Sequence, residues 1–139
     1  MKFWDTSAVL PLLVTEADSD MREKALREDG EMLVWYATPV EIESAICRRE
    51  REGALTSRDA DQIRALCETL QQSWIEVQPG DAVRARARRL LRIHSLRAAD
   101  AFQLAAALIA CREQPAGVTF LTADARLKQA ARLEGFVVD

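Results

Sequence analysis

A chain of 139 residues with 49% hydrophobic and 29% charged side chains is long enough for one compact core and too mixed in composition for a disordered or low-complexity protein. Its formal net charge of -3 gives no general attraction for nucleic acid, and no apolar run reaches the length of a membrane span. With no signal-like apolar stretch after Met1, the reading is a cytosolic, non-membrane protein occupying residues 1–139 as a single domain.

Short apolar runs alternate with longer helical patterns along the chain, the arrangement of stacked βαβ units around a parallel sheet. Strands are expected at 2–4, 32–35, 74–77, 118–121 and 136–138. Helices are expected at 6–14, 18–28, 38–52, 57–72, 80–93, 97–113 and 124–134, with the five glycines serving as stops or turns. No Gly-rich phosphate loop is present. Cys47, Cys67 and Cys111 are odd in number and widely spaced, which fits three buried thiols rather than a disulfide or zinc site.

Taken in chain order, four carboxylates stand out. Asp5 ends the first strand and also fits a helix N-cap, with Thr6 and Ser7 beside it. Glu41 opens the helix after the second strand, where Thr38-Pro39-Val40-Glu41 also reads as a capping box; Glu43 competes for any site role, since periodicity does not separate the two. Asp100 lies one turn into a stretch, Ala98 to Cys111, in which only Asp100 and Gln103 are polar, and an unpaired carboxylate buried there is expensive. Asp124 follows Leu121-Thr122 and opens the last helix, where it also fits a cap.

In a parallel sheet all four positions fall at the carboxyl edge, where open α/β sheets bind ligands. Clustered like charges call for a cation, and an oxygen-only donor set suits Mg²⁺ or Mn²⁺ and phosphoryl chemistry.

The remaining candidates are weaker. His94 fits a polar helix end. Trp4, Trp35 and Trp74 border strands and fit the core. Arg84, Arg88 and Arg92 share a helix face opposite Val83, Ala87, Leu90 and Leu91, as in a solvated amphipathic helix or a phosphate-binding stripe.

The run Asp5-Thr6-Ser7-Ala8, the segment Thr38-Pro39-Val40-Glu41 with Ser44-Ala45, the segment Leu96-Arg97-Ala98-Ala99-Asp100-Ala101 and the run Thr122-Ala123-Asp124 together resemble PIN-domain ribonucleases. The likeness is to VapC-type toxins of bacterial toxin-antitoxin pairs. It implies a PIN-like α/β three-layer sandwich, with a central parallel sheet of four to five strands flanked by helices. It further implies a Mg²⁺-dependent (or Mn²⁺-dependent) endoribonuclease using metal-activated water, a homodimer, and an antitoxin that occludes the acidic site.

The resemblance assigns catalysis and metal binding to Asp5, Glu41, Asp100 and Asp124. By their positions beside these acids, Thr6, Ser7 and Thr122 are expected on the RNA substrate, and so is Arg97, which opens the helix carrying Asp100. The spacing to Ser44-Ala45 prefers Glu41 to Glu43, and Phe102-Gln103 departs from the Leu-His of many relatives. A haloacid-dehalogenase-like phosphatase would want a second Asp where Ser7 stands. A receiver domain would want an early acidic pair and a strand-end lysine. A non-catalytic PIN-like scaffold is the alternative from a different class.

Overall fold

The computed structural model describes all 139 residues. Twelve elements follow one another: β1 (Lys2–Trp4), α1 (Thr6–Leu13), α2 (Ser19–Glu28), β2 (Met32–Trp35), α3 (Thr38–Arg51), α4 (Ser57–Gln71), β3 (Ile75–Val77), α5 (Asp81–Ile93), α6 (Ala98–Ala110), β4 (Thr119–Leu121), α7 (Ala125–Glu134) and β5 (Val137–Val138). All five strands run parallel in the order β3-β2-β1-β4-β5. The expected α/β sandwich is therefore present, with every expected element in place and most boundaries within a residue or two.

The strands are short, and their pleat sorts side chains to the two faces of the sheet. Phe3, Leu33, Trp35 and Phe120 point to one face and pack against α5, α6 and α7 through Val83, Leu90, Leu104, Leu108 and Leu127. Trp4, Met32, Val34 and Leu121 point to the other and meet α1, α3 and α4 through Val9, Ile42, Ile46 and Ile63. Phe3 stacks on Phe120 with ring centroids 5.2 Å apart, which locks the two central strands on the first face. Both faces are covered, as a parallel sheet requires.

α1 lies on one face and α7 on the other, although β1 and β4 are neighbours. The chain thus leaves adjacent strands in opposite directions, which opens a crevice at their carboxyl ends.

Some local expectations fail for identifiable reasons. The α6 helix ends at Ala110 rather than 113, because Arg112 and Glu113 take positive φ. Only Cys67 of the three thiols is buried; Cys47 and Cys111 are partly exposed. Leu91 is likewise exposed, since the apolar stripe of α5 is completed by Val83, Ala87 and Leu90 alone. No helix is long and apolar enough to cross a membrane.

Candidate metal centre

Asp5, Glu41, Asp100 and Asp124 line one open cleft of about 810 Å³ at the β1–β4 crevice, together with Thr6, Ser7 and Arg97. Asp5 and Glu41 come from elements on one face of the sheet, Asp100 and Asp124 from elements on the other.

Asp5 is 5% exposed and does two jobs. It is the N-cap of α1, accepting from the Ser7 N–H at 3.3 Å. The same oxygen, Oδ2, accepts from the Ser7 hydroxyl at 2.5 Å and from the Thr122 hydroxyl at 2.9 Å. Burial pushes its carboxyl above the usual range, and the hydrogen bonds from Ser7 and Thr122 oppose that only in part.

Glu41 does not sit in the expected capping box. Ala37 is the N-cap of α3 and makes no side-chain cap, because Thr38 has already entered the helix. Freed from capping, Glu41 Oε2 accepts from the Thr6 hydroxyl at 2.6 Å and from Gln103 Nε2 at 3.1 Å. Burial raises its pKa, and the nearby charges of Asp5 and Asp100 add to the effect against those two bonds. Glu43 turns away to Arg64, whose Nε lies 2.9 Å from Oε1, and does not line the cleft.

Asp100, in the first turn of α6, has no hydrogen-bond partner among the protein's side chains, and no backbone N–H donates to its carboxylate. Burial raises its pKa, followed by the charges of Asp124 and Asp5, with Arg97 opposing. Asp124 caps α7 through Oδ1, which accepts from the Leu127 N–H at 2.8 Å.

The bonding leaves a consistent remainder. Oδ1 of Asp5, Oε1 of Glu41, Oδ2 of Asp124 and both oxygens of Asp100 accept nothing from the protein. These free oxygens, in a cluster where burial raises the pKa of Asp5, Glu41 and Asp100 and neighbouring charge adds to it at Glu41 and Asp100, form a donor set suited to a hard, partly hydrated divalent cation. No three of these side chains close on one point as a ready-made cage. An ion held there would keep several of its waters.

The hydroxyls sit differently from expectation. Thr122 is wholly buried and does not line the cleft; its hydroxyl, besides donating to Asp5, accepts from the Asp124 N–H at 3.1 Å. Thr6 is also buried and committed to Glu41. Arg97, just before α6, is exposed on the rim with no carboxylate in ion-pair range, and so are Arg48 of α3 and Arg126 of α7.

Besides the rim arginines Arg48 and Arg126, one side chain bonded to a site carboxylate escaped sequence reasoning. Gln103 is 1% exposed, and its Nε2 donates to Thr6 and Glu41 at 3.1 Å and to Thr38 at 3.4 Å, while its Oε1 is buried without a partner. The amide is held for its donor end. Its signal was visible as the second polar residue in the apolar α6 run.

Comparison with known proteins gives a consistent answer. The model of the PIN domain matches residues 2–133. The structure resembles the crystal structure of PAE2754 from Pyrobaculum aerophilum, with a TM-score of 0.65 and 17% identity over 99% of this chain and 87% of that one. It also resembles that of FitAcB from Neisseria gonorrhoeae, with a TM-score of 0.64 and 16% identity over 99% of this chain and 96% of that one. At such identities these likenesses concern the fold. No curated protein matches the chain in sequence.

Proposed function

From the premise that the chain belongs to the PIN-domain family, a nuclease fold, we propose that it is a Mg²⁺-dependent endoribonuclease, with Mn²⁺ as a substitute, acting as a VapC-type toxin. The observation that carries this reading is the convergence of four carboxylates from both sheet faces on one cleft, each with an oxygen free for a cation. Residues 1–139 act as one PIN domain.

In this reading Asp5, Glu41, Asp100 and Asp124 hold the ion. When bound, Mg²⁺ supplies the charge that brings an RNA phosphodiester to an acidic cleft and the acidity that activates water for its hydrolysis. Ser7 and Thr122 fix one oxygen of Asp5 and so aim the other, while Thr6 and Gln103 do the same for Glu41. Arg97, joined by Arg48 and Arg126, offers paired N–H donors to substrate phosphates along the rim. The partners are RNA, a second copy of the chain and an antitoxin covering the cleft, in the cytoplasm.

Cleavage of labelled single-stranded RNA by the purified protein with Mg²⁺, and its loss in EDTA and in Asp5→Asn and Asp124→Asn, tests the proposal. One observation favours the rival, a PIN-like scaffold without catalysis: no three carboxylates already close on a point. RNA binding with no cleavage in either Mg²⁺ or Mn²⁺ would decide for the scaffold. Release of phosphate from a small monoester, without RNA cleavage, would decide for a phosphatase.

A further inference from the structure

Seven polar or charged residues are buried: Asp5, Thr6, Ser19, Arg22, Thr38, Gln103 and Thr122. Thr6, Thr38 and Gln103 form one hydrogen-bonded group around Glu41, and Asp5, Thr122 and Arg22 form another; the two groups meet at the Asp5-Thr6 peptide. Ser19 stands apart. It accepts from the Glu16 N–H at 2.8 Å and donates to the Val14 carbonyl at 3.2 Å, fixing the start of the helix that presents Arg22 one turn later.

Arg22 is the one buried cation, with its side chain 1% exposed. Burying a guanidinium is costly unless its charge is paired and its donors are used. Here one terminal nitrogen pairs with the Asp139 carboxylate, the other donates to the Thr122 carbonyl at 3.2 Å, and Nε has no partner. The ladder of β4 ends at Leu121, so the Thr122 carbonyl lies beyond the sheet's own hydrogen bonds, and Arg22 supplies the donor. Thr122 is at the same time the residue whose hydroxyl joins Asp5 to the backbone of Asp124.

We propose that Arg22 is a positioning residue for the cleft: by holding the Thr122 main chain against Asp139, it sets the separation of Asp5 from Asp124. Its effect is geometric. This inference rests on the reading of the cleft as a divalent-cation site, and it concerns a side chain on α2 that does not line the cleft.

The test is Mn²⁺ affinity, followed by calorimetry and by the electron paramagnetic resonance of the free ion, beside thermal melts and amide exchange of Ala123 and Asp124. Arg22→Ala is expected to weaken Mn²⁺ binding by roughly ten- to a hundredfold, the usual cost of losing a residue that orients a ligand. It should also speed exchange at both amides. Guanidinium ion at tens of millimolar, far below the molar range that unfolds proteins, should restore part of the loss by filling the vacated site. Arg22→Lys keeps a cation for Asp139 but lacks the two separate nitrogens that reach Asp139 and the Thr122 carbonyl, so it should fall between wild type and Arg22→Ala; it carries the test if the alanine variant does not fold.

Unchanged Mn²⁺ affinity in a folded variant with a lowered melting temperature would overturn the proposal and leave Arg22 a fold residue. Absence of Mn²⁺ binding by the wild-type chain would instead overturn the reading of the cleft, and this inference with it.

Discussion

Asp100 is the residue whose situation most constrains the chemistry, because it is half-buried, lies among like charges and receives no hydrogen bond from the protein. A carboxyl whose pKa is raised on folding binds more protons in the folded chain than in the unfolded one. Its contribution to stability is therefore fully present below the unfolded value, 3.8 for Asp100, and is lost as pH rises from there through the raised folded pKa. Asp5, Glu41 and Asp100 all shift in that direction. Metal-free Asp100→Asn is thus expected to melt at a higher temperature than wild type at pH 7 and to lose less stability as pH rises from the unfolded carboxyl value of 3.8 to neutrality, as thermal melts in EDTA would show. The same variant should not cleave RNA; wild-type activity in it would remove Asp100 from the site. The pair Glu41 and Glu43 gives a sharper contrast. Glu41→Gln should reduce the cleavage rate by orders of magnitude, whereas Glu43→Gln, which weakens an exposed ion pair with Arg64 and a thiol contact from Cys47, should be mild in variants of matched stability.

Among the elements, α4 supplies a control that separates folding from function. Thr56 and Asp59 form a reciprocal capping box, with the Asp59 N–H donating to the Thr56 hydroxyl at 3.1 Å and the Thr56 N–H to Asp59 Oδ2 at 3.2 Å. Thr56→Ala should cost about 1 kcal/mol in urea unfolding and leave the cleft's metal affinity unchanged. The same scale explains what could be read from the residues. Strand runs such as Met32-Leu33-Val34-Trp35 and the wholly apolar α6 were legible, because local composition decides where a buried strand or helix forms. Asp100 was legible as a site candidate for the same reason, since no face of α6 is polar. The placement of Glu41 was harder to read. Thr38-Pro39-Val40-Glu41 satisfies a capping rule in sequence, yet the helix starts one residue early and the carboxylate is claimed by Thr6 and Gln103 from elsewhere in the chain. The contact of Arg22 with Thr122 spans 100 positions and leaves no local trace.

The molecule as a whole carries a net charge of -3, yet Arg48, Arg97 and Arg126 stand unpaired around the acidic cleft. On the proposed reading, local charge rather than the total governs how RNA approaches. Arg97→Ala should weaken RNA binding and reduce the slope of log affinity against log salt by about 0.7, the value for one contact to a single-stranded phosphate. An unchanged slope with unchanged cleavage would return Arg97 to simple solvation. A C2 dimer would join two such rims, and sedimentation at micromolar concentration should find a dimer; a fully active monomer would remove that proposal.

The hydrogen bond from Thr122 to Asp5 bridges 117 positions, and it closes only because β4 inserts beside β1. A ribosome therefore delivers Asp5 earlier, by 117 positions, than the Thr122 hydroxyl that donates to it, and until then only Ser7 can bond that carboxylate. Throughout synthesis the nascent chain holds the acids dispersed, and parallel strands with distant partners pair slowly. A cell making this protein accordingly has an interval, set by translation and by the docking of β4, in which the polypeptide exists without its cleft. Any activity that depends on the cleft begins only after the last helix has been released.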